Sequence, residues 1–332
     1  MICAPLGLLL IALLAAPAAA DDAAPYGAAT TRCDISDPRL PEVSGLASAG
    51  DAMLAMNDGG DRVQVYVLDG SCAVVDVRSA ELDPYDPEDL ALAADGTIWV
   101  ADTGDNAQAR STVALIGLRP DGTVTLTRLS YPDGPHDAEA LLLAPDGTPF
   151  VVTKEVLGAS SVYRPDAPLA DGATVPMSRV LALGFTLTNT PGGPVGSAGQ
   201  LMVTGGAVSA DGHRIALRTY TDAYVWPLVG SDVAGALAGE PVRVPLPEAP
   251  QGEAITFAAN DQDLLVSGEA LPAPVTLLPA GGALSPAAAT GSAEATAAPA
   301  PRKIPPFTAG LIAAFMATVL VWIGGKLHRR QG

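Results

Sequence analysis

The chain is 332 residues long, with 36 Asp and Glu against 18 Lys and Arg and a formal net charge of −18. Between residues 21 and 280 the imbalance grows to 35 acidic against 13 basic side chains, with Lys154 the one lysine. A body this negative repels nucleic acid and anionic lipid, and it suits cations, metal-bridged ligands or cationic partners.

The first 20 residues are apolar from Leu6 and end in small residues at Ala20, just before Asp21 and Asp22. That pattern predicts a secretory signal peptide over 1–20. The leader has no positive charge at its start, so a mis-set start and an uncleaved anchor stay open. Cys3 leaves with the leader. Cys33 and Cys72 remain in an oxidising compartment, where a disulfide between them is the simple reading.

Residues 21–280 repeat one phrase. It stands as EVSGLA from Glu42, EDLALA from Glu88, EALLLA from Glu139 and EAITFA from Glu253. A copy from Gly206 keeps the layout and lacks the acid. After each phrase come a turn (SAGD, AADG, APDG, SADG, AAND) and a second apolar run. Runs of four to seven β-branched and aromatic residues between Gly, Pro and Asp turns read as strands. Four strands per unit of about 45 residues predict an all-β fold, a β-propeller of five blades. Six blades are the alternative, if Thr190 to Gly199 belongs to a degenerate blade rather than a loop. Ala28 to Ile35 is expected to supply the last outer strand and to carry Cys33 on it.

The innermost strand of a propeller blade lines the central channel. Glu42, Glu88, Glu139 and Glu253 are therefore expected to converge on one mouth. The ends of the second strands should flank them with Asp58 and Asp61, Asp102, Asp105 and Asn106, Lys154 and Glu155, and Glu269. Converging carboxylates raise their pKa values, recruit bases or bind a cation. A hard ion with oxygen ligands, Ca²⁺ first, fits Glu42, Asp58, Glu88, Asp102, Glu139 and Glu253. Asp61, Asp105, Asn106, Asp137, Lys154, Glu155 and Arg218 complete the expected binding surface. The opposing reading is that the acids accept backbone N–H bonds between blades and hold no ion. Asn57–Asp61 and Asp102–Asn106 are also ordinary turn composition. His136, beside Asp137 and Glu139, is a candidate general base or a surface histidine. No nucleophile elbow or phosphate-cradling glycine loop occurs.

Residues 281–306 are rich in Ala, Pro, Gly, Ser and Thr and read as a stalk. Residues 307–325 are apolar, uncharged and long enough to span a bilayer, and Lys326, Arg329 and Arg330 follow. The basic tail, 326–332, is expected in the cytoplasm. The expected placement is a single-pass protein of the cell membrane with its propeller on the extracellular side.

The phrases EVSGLA (42–47), NDGGD (57–61), DPEDLA (86–91), ADTGDN (101–106), HDAEALL (136–142), VTK (152–154), RTYTDA (218–223) and QGEAI (251–255) resemble a bacterial exported β-propeller family of unassigned function. The chain is more distantly similar to the SdiA-regulated and phytase-like esterase propellers, and that wider resemblance implies calcium at the channel. Two functions follow as expectations. The first is a tethered module that binds a ligand or an envelope protein at its acidic mouth. The alternative is a metal-dependent hydrolase of an ester, lactone or phosphoester. A purely structural envelope role is a third. The lack of a nucleophile motif favours the binder, and fold alone does not choose.

Overall fold

The computed structural model describes residues 25–281. The expected leader 1–20, the stalk beyond residue 281, the helix 307–325 and the tail 326–332 lie outside those residues. Among the described residues no helix is long and apolar enough to cross a membrane.

Those residues form an all-β, propeller-like molecule built from four-stranded antiparallel units. The first unit is β2 (Val43–Ala49), β3 (Ala52–Asn57), β4 (Val63–Leu68) and β5 (Val74–Ala80). The second is β6 (Pro87–Leu92), β7 (Ile98–Asp102), β8 (Val113–Leu118) and β9 (Val124–Ser130). The third is β10 (Ala138–Leu143), β11 (Pro149–Thr153), β12 (Ala159–Pro165) and β13 (Thr174–Gly184). The fourth is β14 (Val203–Val208), β15 (Arg214–Thr219), β16 (Asp222–Pro227) and β17 (Val242–Pro245). The last comprises β18 (Gly252–Phe257), β19 (Leu264–Gly268), β20 (Ala273–Leu278) and, from the start of the chain, β1 (Thr30–Ile35). A five-residue helix, α1 (Val233–Leu237), links β16 to β17.

The first residues of β13 pair in parallel with β9, so the second and third units merge into one eight-stranded sheet. The long third interval is taken up by the 11-residue β13 and by a loop with a 3₁₀ turn at Gly196–Gln200. No strand lies in Thr190–Gly199.

The first strands of the units pack side by side: β2 on β6, β6 on β10, β10 on β14, β14 on β18, and β18 back on β2. The apolar core is correspondingly divided. Met56, Leu90 and Ile116 lie between the first two units, and Leu115, Leu141 and Tyr163 between the second and third. Leu142, Leu217 and Trp226 join the third to the fourth, and Val225, Ile255 and Phe257 the fourth to the last. Ile35, Leu46 and Val275 close the set. Each unit buries both faces against neighbours, which is why its strands read as continuous apolar runs rather than alternating ones. The closing strand is joined to the first unit by the Cys33–Cys72 disulfide. It bridges 39 residues of sequence, a constraint of about 3–4 kcal/mol on the unfolded chain.

Candidate functional site

Every inner strand carries a β-bulge at the same point, one residue past its start. The register slips across Ser44 in β2, Glu88 in β6, Glu139 in β10 and Thr204 in β14, and across Glu253 and Ala254 in β18. A bulge places an extra residue in the strand and re-aims its side chain. The repeated acid is thus a bulge residue, which explains how a carboxylate begins a strand that is otherwise core. The structural register also corrects the sequence alignment. The counterparts of Glu88, Glu139 and Glu253 are Ser44 and Thr204, whereas alignment on the apolar run selects Glu42 and Gly206. Glu42 lies two residues earlier and is half-buried, with its carbonyl accepting from the Asp58 N–H at 3.0 Å. Ser44 and Thr204 turn their hydroxyls to the next strand, donating to the carbonyls of Glu88 (2.5 Å) and Gly252 (3.0 Å).

A second set of residues follows the ends of the second strands. Asp58, Lys154 and Glu269 each donate a backbone N–H to the residue before the neighbouring inner strand, Glu42, Asp137 and Gln251. Gly104 does the same toward Asp86. A Cβ on Gly104 would stand 2.2 Å from Glu88 Oε1 and 2.6 Å from Asp86 Oδ2. Glycine here makes room for two carboxylates rather than supplying an unusual φ.

The two sets interleave into two acidic groups, buried apart from the half-buried Glu269. Glu88, Asp137 and Glu139 bring carboxylate oxygens within 4.8 Å of one another, and so do Asp58, Glu253 and Glu269. At 4.8 Å and an effective dielectric near 20, each pair of like charges costs about 3 kcal/mol. Burial, then the charges of Glu139, Asp86, Asp58 and Asp137, pushes Glu88 well above the ordinary carboxylate range. Burial raises Glu139 to about 8, against the opposing pull of Lys154. Burial raises Glu253 too, reinforced by Glu269 and Glu139. The Oε2 atoms of Glu139 and Glu253 are buried with no hydrogen-bond partner.

Lys154 is the cation of this centre. Its ammonium donates to Glu139 Oε1 and stands over the ring of Tyr220, 5.3 Å from the centroid. Burial alone would lower its pKa. The carboxylates of Glu139, Asp137 and Glu253, together with Tyr220, hold it above the usual lysine value.

The remaining expected residues divide. Asp102 and Asp105 are buried but committed. Asp102 Oδ1 pairs with Arg110 at 3.1 Å and accepts the Asp86 N–H, while Asp105 accepts from the N–H groups of Ala109 and Arg110. Asp137 accepts the Asp105 N–H at 2.8 Å, so the second and third units are stitched together directly beside Glu88 and Glu139. Asn106 and Asp61 are exposed, and Asp61 pairs with Arg62 at the surface. The buried Arg218 gives its donors to the carbonyls of Thr219, Ala254, Ser267 and Tyr220. His136 forms its own cluster: Nε2 is 3.0 Å from both Asp133 Oδ1 and the Tyr163 hydroxyl, and Nδ1 is 3.7 Å from Glu155. Tyr131 meets its ring edge-on.

Two residues were not selected from the sequence. Tyr220 follows the second strand of the fourth unit at the same point as Lys154 in the third, a signal carried by RTYTD. Asp89 lies deeper in the channel. Its carboxylate accepts the N–H groups of Leu90 (2.8 Å), Leu141 (2.8 Å) and Gly206 (3.2 Å), which come from three different inner strands. Channel-facing strand edges have no ladder partner, and Asp89 satisfies three of them at once. Burial pushes its pKa well above the ordinary carboxylate range, and those three donors offset only part of that rise.

No family model matches the chain, and no curated protein matches it. Among solved structures, a gluconolactonase from Xanthomonas campestris is similar with a TM-score of 0.42, at 18% identity over 75% of this chain and 89% of that one. A streptogramin B lyase is similar with a TM-score of 0.39, at 11% identity over 77% of this chain and 98% of that one. Likeness of this degree bears on neither activity nor ligand.

Proposed function

We propose that the chain is an exported five-bladed propeller that seats a hard divalent cation, Ca²⁺ first, at its acidic mouth and hydrolyses an ester or lactone there. Five blades are supported by the closed circuit of inner strands and by one core cluster between each neighbouring pair of units. Export, anchoring through 307–325 and an extracellular propeller rest on the sequence. The observation that carries the functional reading is the Glu88–Asp137–Glu139 group. Its three buried carboxylates lie within 4.8 Å, and Glu139 has one oxygen without a donor. An all-oxygen donor set of this charge fits Ca²⁺. The bound ion would supply Lewis acidity toward a carbonyl oxygen.

The hydrolase is favoured over a passive binder by Lys154. It keeps its proton at Nζ in direct contact with Glu139, so a fixed cationic donor stands at the seat, able to stabilise charge developing on a carbonyl oxygen. His136 is engaged by Asp133, Tyr163 and Glu155 instead. The second reading is a module that captures a cationic or metal-bridged ligand, or an envelope protein, without chemistry. It draws on burial: Glu88 and Glu139 are each only 3% exposed.

The test is metal analysis of the purified chain and a thermal melt with and without chelator. Native-state binding raises Tm by linkage. Bound Ca²⁺, a Tm lowered by chelator, and loss of both in Glu88→Gln and Glu139→Gln are expected. An ester and lactone screen, run with Lys154→Met as control, then separates hydrolase from binder. Metal content and Tm indifferent to chelator and to both substitutions would sink the reading.

A further inference from the structure

We infer a second cation seat, separate from the first, formed by Asp58, Glu253 and Glu269 where the first and last units of the ring meet. The inference rests on the same reading of the mouth as cation-binding, and it assigns that mouth two ions instead of one.

The three residues come from different places. Asp58 follows β3, Glu253 is the bulge of β18, and Glu269 follows β19. Their carboxylate oxygens lie within 4.8 Å of one another. An acidic group alone would not mark a site. The independent observation is Glu253, which is 4% exposed and whose Oε2 is buried with no hydrogen-bond partner. A buried acceptor left without a donor costs about 1–3 kcal/mol, more when charged, and a cation removes that cost.

The nearby bases are engaged elsewhere. Lys154 is bonded to Glu139. Arg218 gives its donors to the carbonyls of Thr219, Tyr220, Ala254 and Ser267. Neither base is bonded to Glu253 Oε2.

The backbone around the seat is fixed by ladder-like bonds. Asp58 N–H donates to Glu42 O at 3.0 Å, Glu269 N–H to Gln251 O at 2.9 Å, and Ala270 N–H to Pro41 O at 2.9 Å. Glu42 and Glu269 form an isolated antiparallel bridge. Two of the three acids thus sit on strand ends already tied across the seam, so little ordering is required of the ion. The seam is also where β1 closes the ring and where Cys33–Cys72 links the last unit to the first. A cation here ties the two halves of that closure on the mouth side. Three carboxylates and no nitrogen or sulfur donor specify a hard ion, Ca²⁺ in an exported protein.

The test is calorimetric titration of the chelator-stripped full chain with CaCl₂, alongside Glu253→Gln and Glu88→Gln. Two ions per wild-type chain are expected, and one in each variant. Asp58→Asn serves if Glu253→Gln does not fold, again with one ion expected. Anomalous scattering from Tb³⁺-soaked crystals of the unmodified chain should give two peaks, one at each acidic group. One ion in the wild type, retained by Glu253→Gln and lost by Glu88→Gln, overturns the second seat and leaves the first. A single ion lost in either variant shows one shared site and also overturns it. No ion at all removes this inference together with the reading it rests on.

Discussion

The two ends of the channel use the same residue types under opposite physics. At the far end each unit turns between its first two strands, and Asp95, Asp146, Asp211 and Asp261 stand around a cavity of about 940 Å³. These carboxylates accept turn or neighbouring N–H groups: Asp95 from Thr97 (2.9 Å), Asp146 from Thr148 (2.9 Å), Asp211 from His213 (3.0 Å) and Asp261 from Ala210 (2.8 Å). The Thr97 N–H holds Asp95 below its ordinary value. At the near end Glu88, Glu139 and Glu253 are buried, meet other acids, and are pushed up. Repetition of an acid along a chain therefore does not by itself mark a site. What separates the far-end turn acids from the near-end bulge acids is whether the backbone spends its N–H groups on the carboxylate or, through a bulge, turns the carboxylate away from them.

The largest effect that would break this contrast lies between the two ends. Asp89 is an acid of the channel that behaves like a far-end acid, satisfied wholly by N–H groups, yet fully buried. Asp89→Ala orphans three of them and should destabilise the chain by about 3–5 kcal/mol in urea unfolding. A loss below about 1 kcal/mol would mean that water replaces the carboxylate and that the channel is wet at this level. Next in size is Gly104→Ala. The added Cβ drives Glu88 and Asp86 apart. An overpacking cost of about 1–3 kcal/mol is expected, with Ca²⁺ affinity weakened at least tenfold by calorimetry. Unchanged affinity would place the ion away from Glu88.

Much of the fold was legible because strand spacing and turn chemistry are local. AADG, APDG and SADG announce a glycine at positive φ, at Gly96, Gly147 and Gly212, and in the last unit Asp261 takes that conformation. The closing strand followed from what the last unit lacked, and Cys33–Cys72 from the two cysteines left once the leader is set aside. The site was legible only in part. Glu88, Glu139 and Glu253 stand out as acids before apolar runs. The bulge that aims them is a property of pairing with the second strand, and a one-residue slip leaves no mark on composition. Hence Ser44 and Thr204, polar but not acidic, passed unseen, and Glu42 was aligned in place of Ser44. Asp89 was hidden for a different reason. Its partners, Leu141 and Gly206, lie 52 and 117 residues away and contribute only backbone.

A smaller effect sharpens the contrast through pH. Glu139 has an ordinary value of 4.5 and stands near 8 in the folded chain. A pKa raised by folding gives stability that is complete below the unfolded value and fades as pH rises through the folded one. The chelated chain should therefore lose several degrees of Tm between pH 5 and pH 8.5. Excess Ca²⁺ should abolish most of that loss, because the ion takes the place of the protons. Apparent Ca²⁺ affinity should climb over the same window. A chelated chain with a flat Tm from pH 5 to 8.5 would mean that Lys154 already neutralises the centre.

The smallest effect belongs to the far end and runs the other way. Asp95 is held below its ordinary 3.8, so its contribution is present above that value and fades as pH falls through the folded one. It is solvent-exposed and screened, and Asp95→Asn should cost about 0.5 kcal/mol or less at neutral pH. The variant should keep its full complement of Ca²⁺ and the same loss of Tm at high pH, while losing slightly less stability than the parent on acidification to pH 3. The alkaline and acid limbs of the stability profile would then report on opposite ends of one channel. Asp95→Asn altering Ca²⁺ content would join the two ends electrostatically and undo the distinction, since Asp89 and the packed inner strands would no longer insulate one mouth from the other.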